Sequence, residues 1–290
     1  MNDTKQTILA TENLPEEAEH NIQKLRGKTV VIKYGGNAMQ SELLKKAVMK
    51  DVALLAGLGV RIVLVHGGGP EITGMLKLMG KESRFINGLR YTDEETAEVA
   101  SMVLAGKVNK SLVAMIQASG GKALGLCGLD GGMLLVEKLK GDIDLGFVGD
   151  IREVDITCIT MALDHGFVPV IATVGADKTG AVYNINADTA AAAIAGELKA
   201  EKLISMTDIR GLLRDVSDES SLIATVGTAE IPGLIEAGII SGGMIPKIQC
   251  CVDGIASGIK EVAIIDGRVE HAILTQLLTD QEIGTLIYQS

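Results

Sequence analysis

Five short apolar runs rich in β-branched residues constrain this chain more than any other feature: "TVVIK" at 29 to 33, "RIVLV" at 61 to 65, "FVPVIATV" at 167 to 174, "KLISM" at 202 to 206 and "VAIID" at 262 to 266. Such runs have no polar face, so as strands they belong in a sheet covered on both sides. Between them lie longer stretches patterned for helix, at 41 to 57, 92 to 118, 188 to 200 and 245 to 258, many rich in Ala, Leu, Lys and Glu. Strands alternating with helices predict an α/β fold, an αβα sandwich with a mainly parallel central sheet.

Two segments depart from this rhythm. The stretch "KLKGDIDLGFVGDIREVD", 138 to 155, carries closely spaced turn signals and alternating residues, and predicts a β-hairpin insertion. Ahead of the first strand, Leu14, Ala18, Ile22 and Leu25 fall on one face of a helix, Pro15 suits its first turn and Gly27 can stop it. A helix so short is marginal alone, so its apolar stripe must dock on its own subunit or on a neighbour. The most loop-like connection past the midpoint is "TVGADKTGAVYN", 173 to 184. A lobe boundary there divides the chain into a helical extension (1–27), a first lobe (28–174) and a second lobe (175–290).

Composition narrows the function. A net charge of -10, 2% aromatic residues and no Trp disfavour nucleic acid, which needs a basic surface or stacking platforms. The four cysteines, Cys127, Cys158, Cys250 and Cys251, show no CxxC spacing, so neither a zinc site nor a disulfide framework is indicated. With no run of 18 consecutive apolar residues and no basic-then-apolar leader, a soluble, cytoplasmic protein with no membrane partner is expected.

Ligands of open parallel sheets bind beyond the carboxyl ends of strands. Two strands here run straight into glycines, in "VVIKYGG" and "VLVHGGGPEI". Gly35 and Gly36, like Gly67, Gly68 and Gly69, let backbone N–H groups approach an anion, and a following helix adds its positive end. A tight turn alone explains one or two glycines better than three. Lys33 is costly at the end of a buried strand unless an anion meets it. Neither GxxxxGK[ST] nor GxGxxG occurs, which disfavours a P-loop NTPase and a Rossmann dehydrogenase. In "YNINADTAAAAIAG", Asp188 reads most simply as the cap of an alanine-rich helix, and Lys247 in "SGGMIPKIQCC" as a surface lysine. His66 reads as structural.

Together "VIKYGGNAM", "VHGGGPEI", "NGLRYTDEET", "YNINADTAAAAIAGEL", "TDIRGLL", "SGGMIPK" and "EHAIL", in that order from residue 28 onward, resemble the amino acid kinase family. The resemblance implies that family's fold and the phosphorylation of the γ-carboxylate of N-acetyl-L-glutamate by ATP with Mg2+, a step in arginine synthesis. It implies that Lys33 and Lys247 stabilise the transferring phosphoryl group and that Asp188 orients them. Gly68, Gly69, Arg90 and Asn184 would bind the acetylated amino acid. Gly35, Gly36, Asp208, Gly211, Leu212, Ile240, Ser241 and Gly243 would hold the nucleotide. No protein side chain is expected as a metal ligand, because Mg2+ is held mostly by phosphate oxygens and water. Family members with a helix before the first strand are hexamers, trimers of dimers, inhibited by L-arginine, and the segment 8 to 26 fits that type. The inhibitor would sit near Lys202, His271 and 280 to 288. Some members bind a PII protein, a partner nothing in the sequence establishes. The alternatives are a kinase of the same fold acting on another carboxylate, and a non-catalytic amino-acid sensor.

Overall fold

The structure, a computed structural model, describes residues 16–39 and 41–290. The first half runs α1 (Glu16–Leu25), β1 (Thr29–Tyr34), α2 (Glu42–Gly57), β2 (Arg61–His66), α3 (Gly69–Leu78), β3 (Phe85–Ile86) and β4 (Leu89–Arg90). Next come α4 (Glu94–Ser101), a π-helical stretch (Met102–Val108), α5 (Asn109–Ala118), β5 (Ala123–Cys127), β6 (Leu134–Lys138), β7 (Gly149–Val154) and α6 (Thr157–Asp164). The remainder is β8 (Val168–Ala172), β9 (Val174–Ala176), β10 (Val182–Asn184), α7 (Ala187–Glu197), β11 (Lys202–Thr207), β12 (Thr225–Gly227), α8 (Ile231–Glu236), α9 (Met244–Ala256), β13 (Glu261–Asp266), α10 (Ala272–Leu278) and β14 (Gly284–Tyr288).

Among the described residues, eight strands form the central sheet in the order β12-β14-β13-β11-β1-β2-β8-β5. Pairing is parallel except where β14 meets β13. Because side chains alternate along a strand, β1 feeds two cores. Val30, Ile32 and Tyr34 pack in one with α1, α2, the 94–118 helical rod and α10. Val31 packs in the other, with Val63, Val65 and the helices α6, α7 and α9. This is the sandwich expected from the apolar runs. β1 has β2 on one side and β11 on the other, so the chain reverses direction across the sheet at β1. The cleft beyond the carboxyl ends of these three strands is where such folds hold ligands.

Two local differences from the sequence expectation have physical reasons, and the docking of the first helix is resolved. "FVPVIATV" is not one strand: it breaks at Thr173, and β8 joins the central sheet while β9 joins the second sheet, β10-β9-β6-β7. The predicted hairpin starts earlier, at Leu134, and a register shift between Leu135 and Val136 bends it. The stripe of α1 is occupied within its own subunit: Ala18, Ile22 and Leu25 are buried in the core that holds Ile273 and Leu277 of α10. Leu14 and Pro15 lie outside the described residues. The 94–118 rod is long and apolar enough to cross a membrane by length and composition, but Val99, Leu104, Leu112 and Ile116 face the core of this fold.

Candidate active site

Lys33, the penultimate residue of β1, is only 8% exposed and stands in register with Ser205 of β11. Its Nζ lies 3.1 Å from Oδ1 of Asp188 in the first turn of α7. Lys247, in the first turn of α9, donates from Nζ to Asp188 Oδ2 at 2.8 Å. The Ser205 hydroxyl donates to Oδ1 at 3.4 Å. One carboxylate thus bridges two ammonium groups, one per oxygen, leaving the cluster with a net positive charge.

Asp188 is free for this role because it is not the helix cap, as its sequence context suggested. Asn186 is the N-cap: its extended backbone (φ −63, ψ 132) precedes α7, and its Oδ1 accepts from the N–H groups of Asp188 at 2.9 Å and Thr189 at 3.2 Å. Burial acts against ionisation of Asp188, but the ammonium groups of Lys33 and Lys247 together hold its carboxyl below the ordinary carboxylate range. Burial pulls Lys33 below the ordinary lysine range; Asp188 opposes that and Lys247 adds to it. An anion arriving beside Lys33 and Lys247 would relieve their repulsion.

Gly68, Gly69, Arg90 and Asn184 all line one cavity of about 180 Å3, with Thr173, Ala187 and the β3–β4 hairpin. Ala187 adjoins Asp188, so the cavity and the lysine cluster share the start of α7. A larger depression of about 620 Å3, lined by Glu42, Lys45, Glu71 and Lys107 among others, contains none of the bridged charges. Arg90 is 6% exposed, lies 4.6 Å over the Phe85 ring and donates to the Gly69 carbonyl, Thr73 Oγ1 and Ser83 Oγ at 2.8, 2.9 and 2.6 Å. Its guanidinium is thereby held fixed among the residues that line the cavity, a cation of the kind that suits a carboxylate.

The residues expected at the nucleotide are more dispersed. Gly36 has φ +71, and a Cβ there would stand 2.7 Å from Asp208 Oδ1, so the turn after β1 and the end of β11 meet closely. A Cβ on Gly35 would approach Lys33 Nζ to 3.3 Å. Leu212 and Ile240 are buried in the core, and Gly211 packs against Thr285, so these offer backbone rather than side chains. Ser241 and Gly243 are exposed just before α9. Among the described residues no group of three or more His, Cys, Asp or Glu could hold a metal ion.

Sequence reasoning missed Ser205, Asn186, Thr73 and Ser83. Only Asn186 left a usable signal, an Asn two residues before Asp188 at the start of an alanine-rich helix. His66 is fully buried and lies behind the glycine turn, outside the cavity lining.

The amino acid kinase family model matches residues 28–266. The acetylglutamate kinase of Brachyspira hyodysenteriae is 57% identical over 268 residues, 92% of this chain and 93% of its own. Among solved structures, the N-acetylglutamate synthase of Neisseria gonorrhoeae with coenzyme A and N-acetyl-glutamate superposes with a TM-score of 0.82 at 27% identity, over 94% of this chain and 62% of that longer protein. The same synthase with coenzyme A and L-arginine gives a TM-score of 0.78 at 25% identity, over 94% of this chain and 64% of that one. The switch-point cleft, its glycine turns and its bridged lysines thus occur in a chain whose sequence matches the family along most of its length, and the chain belongs to the amino acid kinase family.

Proposed function

We propose that this chain is an acetylglutamate kinase, transferring the γ-phosphoryl group of ATP to the side-chain carboxylate of N-acetyl-L-glutamate in arginine biosynthesis. The observation that carries the reading is the Lys33–Asp188–Lys247 bridge beside a cavity lined by Arg90, Gly68 and Gly69. The acceptor side chain, with a reference pKa of about 4.3, is ionised at neutral pH, so no general base is required. One of its carboxylate oxygens attacks the γ-phosphorus in line; the bond to the β–γ bridging oxygen breaks, and ADP departs with that electron pair. Charge on the equatorial oxygens is met by Nζ of Lys33 from β1 and Nζ of Lys247 from α9, held apart by Asp188.

In this reading residues 28–174 carry the acceptor, with the Arg90 guanidinium on its α-carboxylate and the Gly68 and Gly69 groups on its remaining polar atoms, joined there by Asn184 from the second lobe. Residues 175–290 carry ATP through Asp208, Gly211, Leu212, Ile240, Ser241 and Gly243, with Gly35 and Gly36 against the phosphates. Mg2+ accompanies the nucleotide and offsets phosphate charge. The site of action is the cytoplasm.

The reading extends to regulation: a hexamer built as a trimer of dimers, inhibited by L-arginine bound between the 1–27 extension and the 280–288 segment. Its support is that α1 packs beside α10 and that the Glu17 carboxylate accepts from the Asp280 N–H, joining the extension to that segment. It is further supported by the likeness to the synthase solved with L-arginine.

The test is to incubate the protein with MgATP, hydroxylamine and, separately, N-acetylglutamate, glutamate and aspartate, and to measure acyl hydroxamate. Product with N-acetylglutamate alone is expected; product only with a free amino acid would overturn the acceptor assignment. Light scattering with and without L-arginine tests the rest, and an arginine-insensitive dimer would remove the regulatory part.

A further inference from the structure

Behind the glycine turn lies a buried polar chain that the reaction does not use directly. His66, the last residue of β2, is fully buried, and its Nδ1 stands 2.8 Å from the Gly67 carbonyl oxygen. Its Nε2 stands 3.1 Å from Asn109 Nδ2. Asn109 is also fully buried, at the point where the π-helical stretch gives way to α5. Its amide donates to the carbonyls of Val170 at 2.8 Å and Leu126 at 3.1 Å, and its Oδ1 accepts from Lys110 Nζ at 3.0 Å. Gly125 makes room for it, since a Cβ there would come within 2.1 Å of Asn109 Oδ1.

These contacts allow one protonation state. Gly67 presents a carbonyl to Nδ1, so that nitrogen must carry the proton; Nε2 faces the Asn109 amide nitrogen, which offers no lone pair to accept a hydrogen bond and shares its two hydrogens among Nε2 and the Val170 and Leu126 carbonyls, so Nε2 is the unprotonated nitrogen. Burial pushes the ring the same way, toward the neutral form. In a trans peptide the C=O and the next N–H point in opposite directions. Tethering the Gly67 oxygen to the buried imidazole therefore aims the Gly68 N–H away from the core, on the side of the cavity that Gly68 lines. A glycine pair has no side chain to set that plane, so something else must hold it.

We infer that His66 and Asn109 are positioning residues for the acceptor: Asn109 fixes the Nδ1–H tautomer of His66, and His66 fixes the peptide whose N–H meets the acylated amino acid. The inference rests on the acceptor-binding role proposed above for this cavity. It also explains a buried asparagine in an otherwise apolar helix face. The π-helical stretch, a feature common near functional sites, ends at this residue and sets its position over the β2, β5 and β8 strand ends.

Two measurements test it. In wild-type protein labelled with 15N-histidine at pH 7, His66 should give a pyrrole-like Nδ1 and a pyridine-like Nε2; the opposite tautomer or an imidazolium would overturn the inference without any substitution. In steady-state kinetics, His66→Leu should raise KM for N-acetyl-L-glutamate about tenfold, the equivalent of one lost hydrogen bond, with KM for ATP nearly unchanged. His66→Gln keeps one donor and one acceptor and should restore the acceptor KM to within about threefold of wild type. Equal rises in both KM values, or no rescue by Gln, would sink the positioning role while leaving the proposed reaction intact. Wild-type protein inactive on N-acetylglutamate would sink both. Should His66→Leu fail to fold, the wild-type spectrum and the Gln variant still decide.

Discussion

Asn186 and Asp188 divide between them two tasks that a single carboxylate cannot perform together. Asn186 Oδ1 satisfies the first N–H groups of α7, and Asp188, held two residues further on, turns its carboxylate to Lys33 and Lys247. Asn186→Ala should therefore lower stability by about 1 kcal/mol, as the loss of a helix cap does. It should also reduce turnover, because the Asp188 N–H loses the acceptor that sets its turn. Asn186→Ser should recover both in thermal unfolding and hydroxamate assays; an Ala variant with wild-type stability would refute the cap.

The two lysines differ in what their loss should do. Lys247 is on a helix start and partly exposed, with 18% of its side chain accessible, so Lys247→Ala should fold. Its kcat should fall by about 100-fold or more, the effect of removing one charge-stabilising donor, with acceptor KM changing much less. Near-normal kcat would remove Lys247 from the site.

Asp188→Asn probes the bridge itself. It strips the one negative charge from between two ammonium groups, one of them buried, and should cost about 3 kcal/mol in urea unfolding, as breaking a buried pair does. Lys33→Met in the same background removes the uncompensated charge and should recover stability but not activity. If the double variant is no more stable than Asp188→Asn, the bridge is not what burial of Lys33 depends on.

How much of this could be read before the structure varies with the range of the interaction. The strands at 29, 61, 202 and 261 were legible because an apolar run with no polar face leaves few alternatives. β5 and β14 were not, since "ALGLC" and "GTLIY" each carry a glycine and take their strand character from their neighbours in the sheet. Lys33 stood out because a charge at the end of such a run demands a partner. Lys247 did not, because its partner lies 59 residues away and nothing local distinguishes it from a surface lysine. Ser205 and Asn109 were invisible for the same reason: a small polar residue in an apolar element carries meaning only once the facing element is known.

Gly36 offers a test of the nucleotide side. Its φ of +71 costs an L side chain about 1 kcal/mol, and a Cβ would stand 2.7 Å from Asp208 Oδ1. Gly36→Ala should fold with a modest loss of stability while displacing the Asp208 carboxylate. KM for ATP should then rise and KM for the acceptor stay near wild type. The reverse pattern would assign this turn to the wrong ligand.

The acid limb of stability should carry the signature of His66. Burial draws its pKa from the ordinary 6.5 down to about 4, with the Gly67 carbonyl opposing and the Lys110 ammonium assisting. The unfolded chain therefore binds a proton that the folded chain refuses between those two values. Stability falls as pH drops below 6.5 and levels off near 4, by about 3 kcal/mol in all. Asp188 acts in the same direction but lower: its folded carboxyl lies below 3.8, so its contribution is intact above that value and lost only as pH falls through its folded pKa. The two windows are separate, and urea unfolding of wild type and His66→Gln at intervals from pH 7 to pH 4 should diverge only in the upper one. Parallel curves across that range would mean that His66 titrates in the folded protein as it does in the unfolded chain, and that the buried chain behind the glycine turn does not hold it neutral.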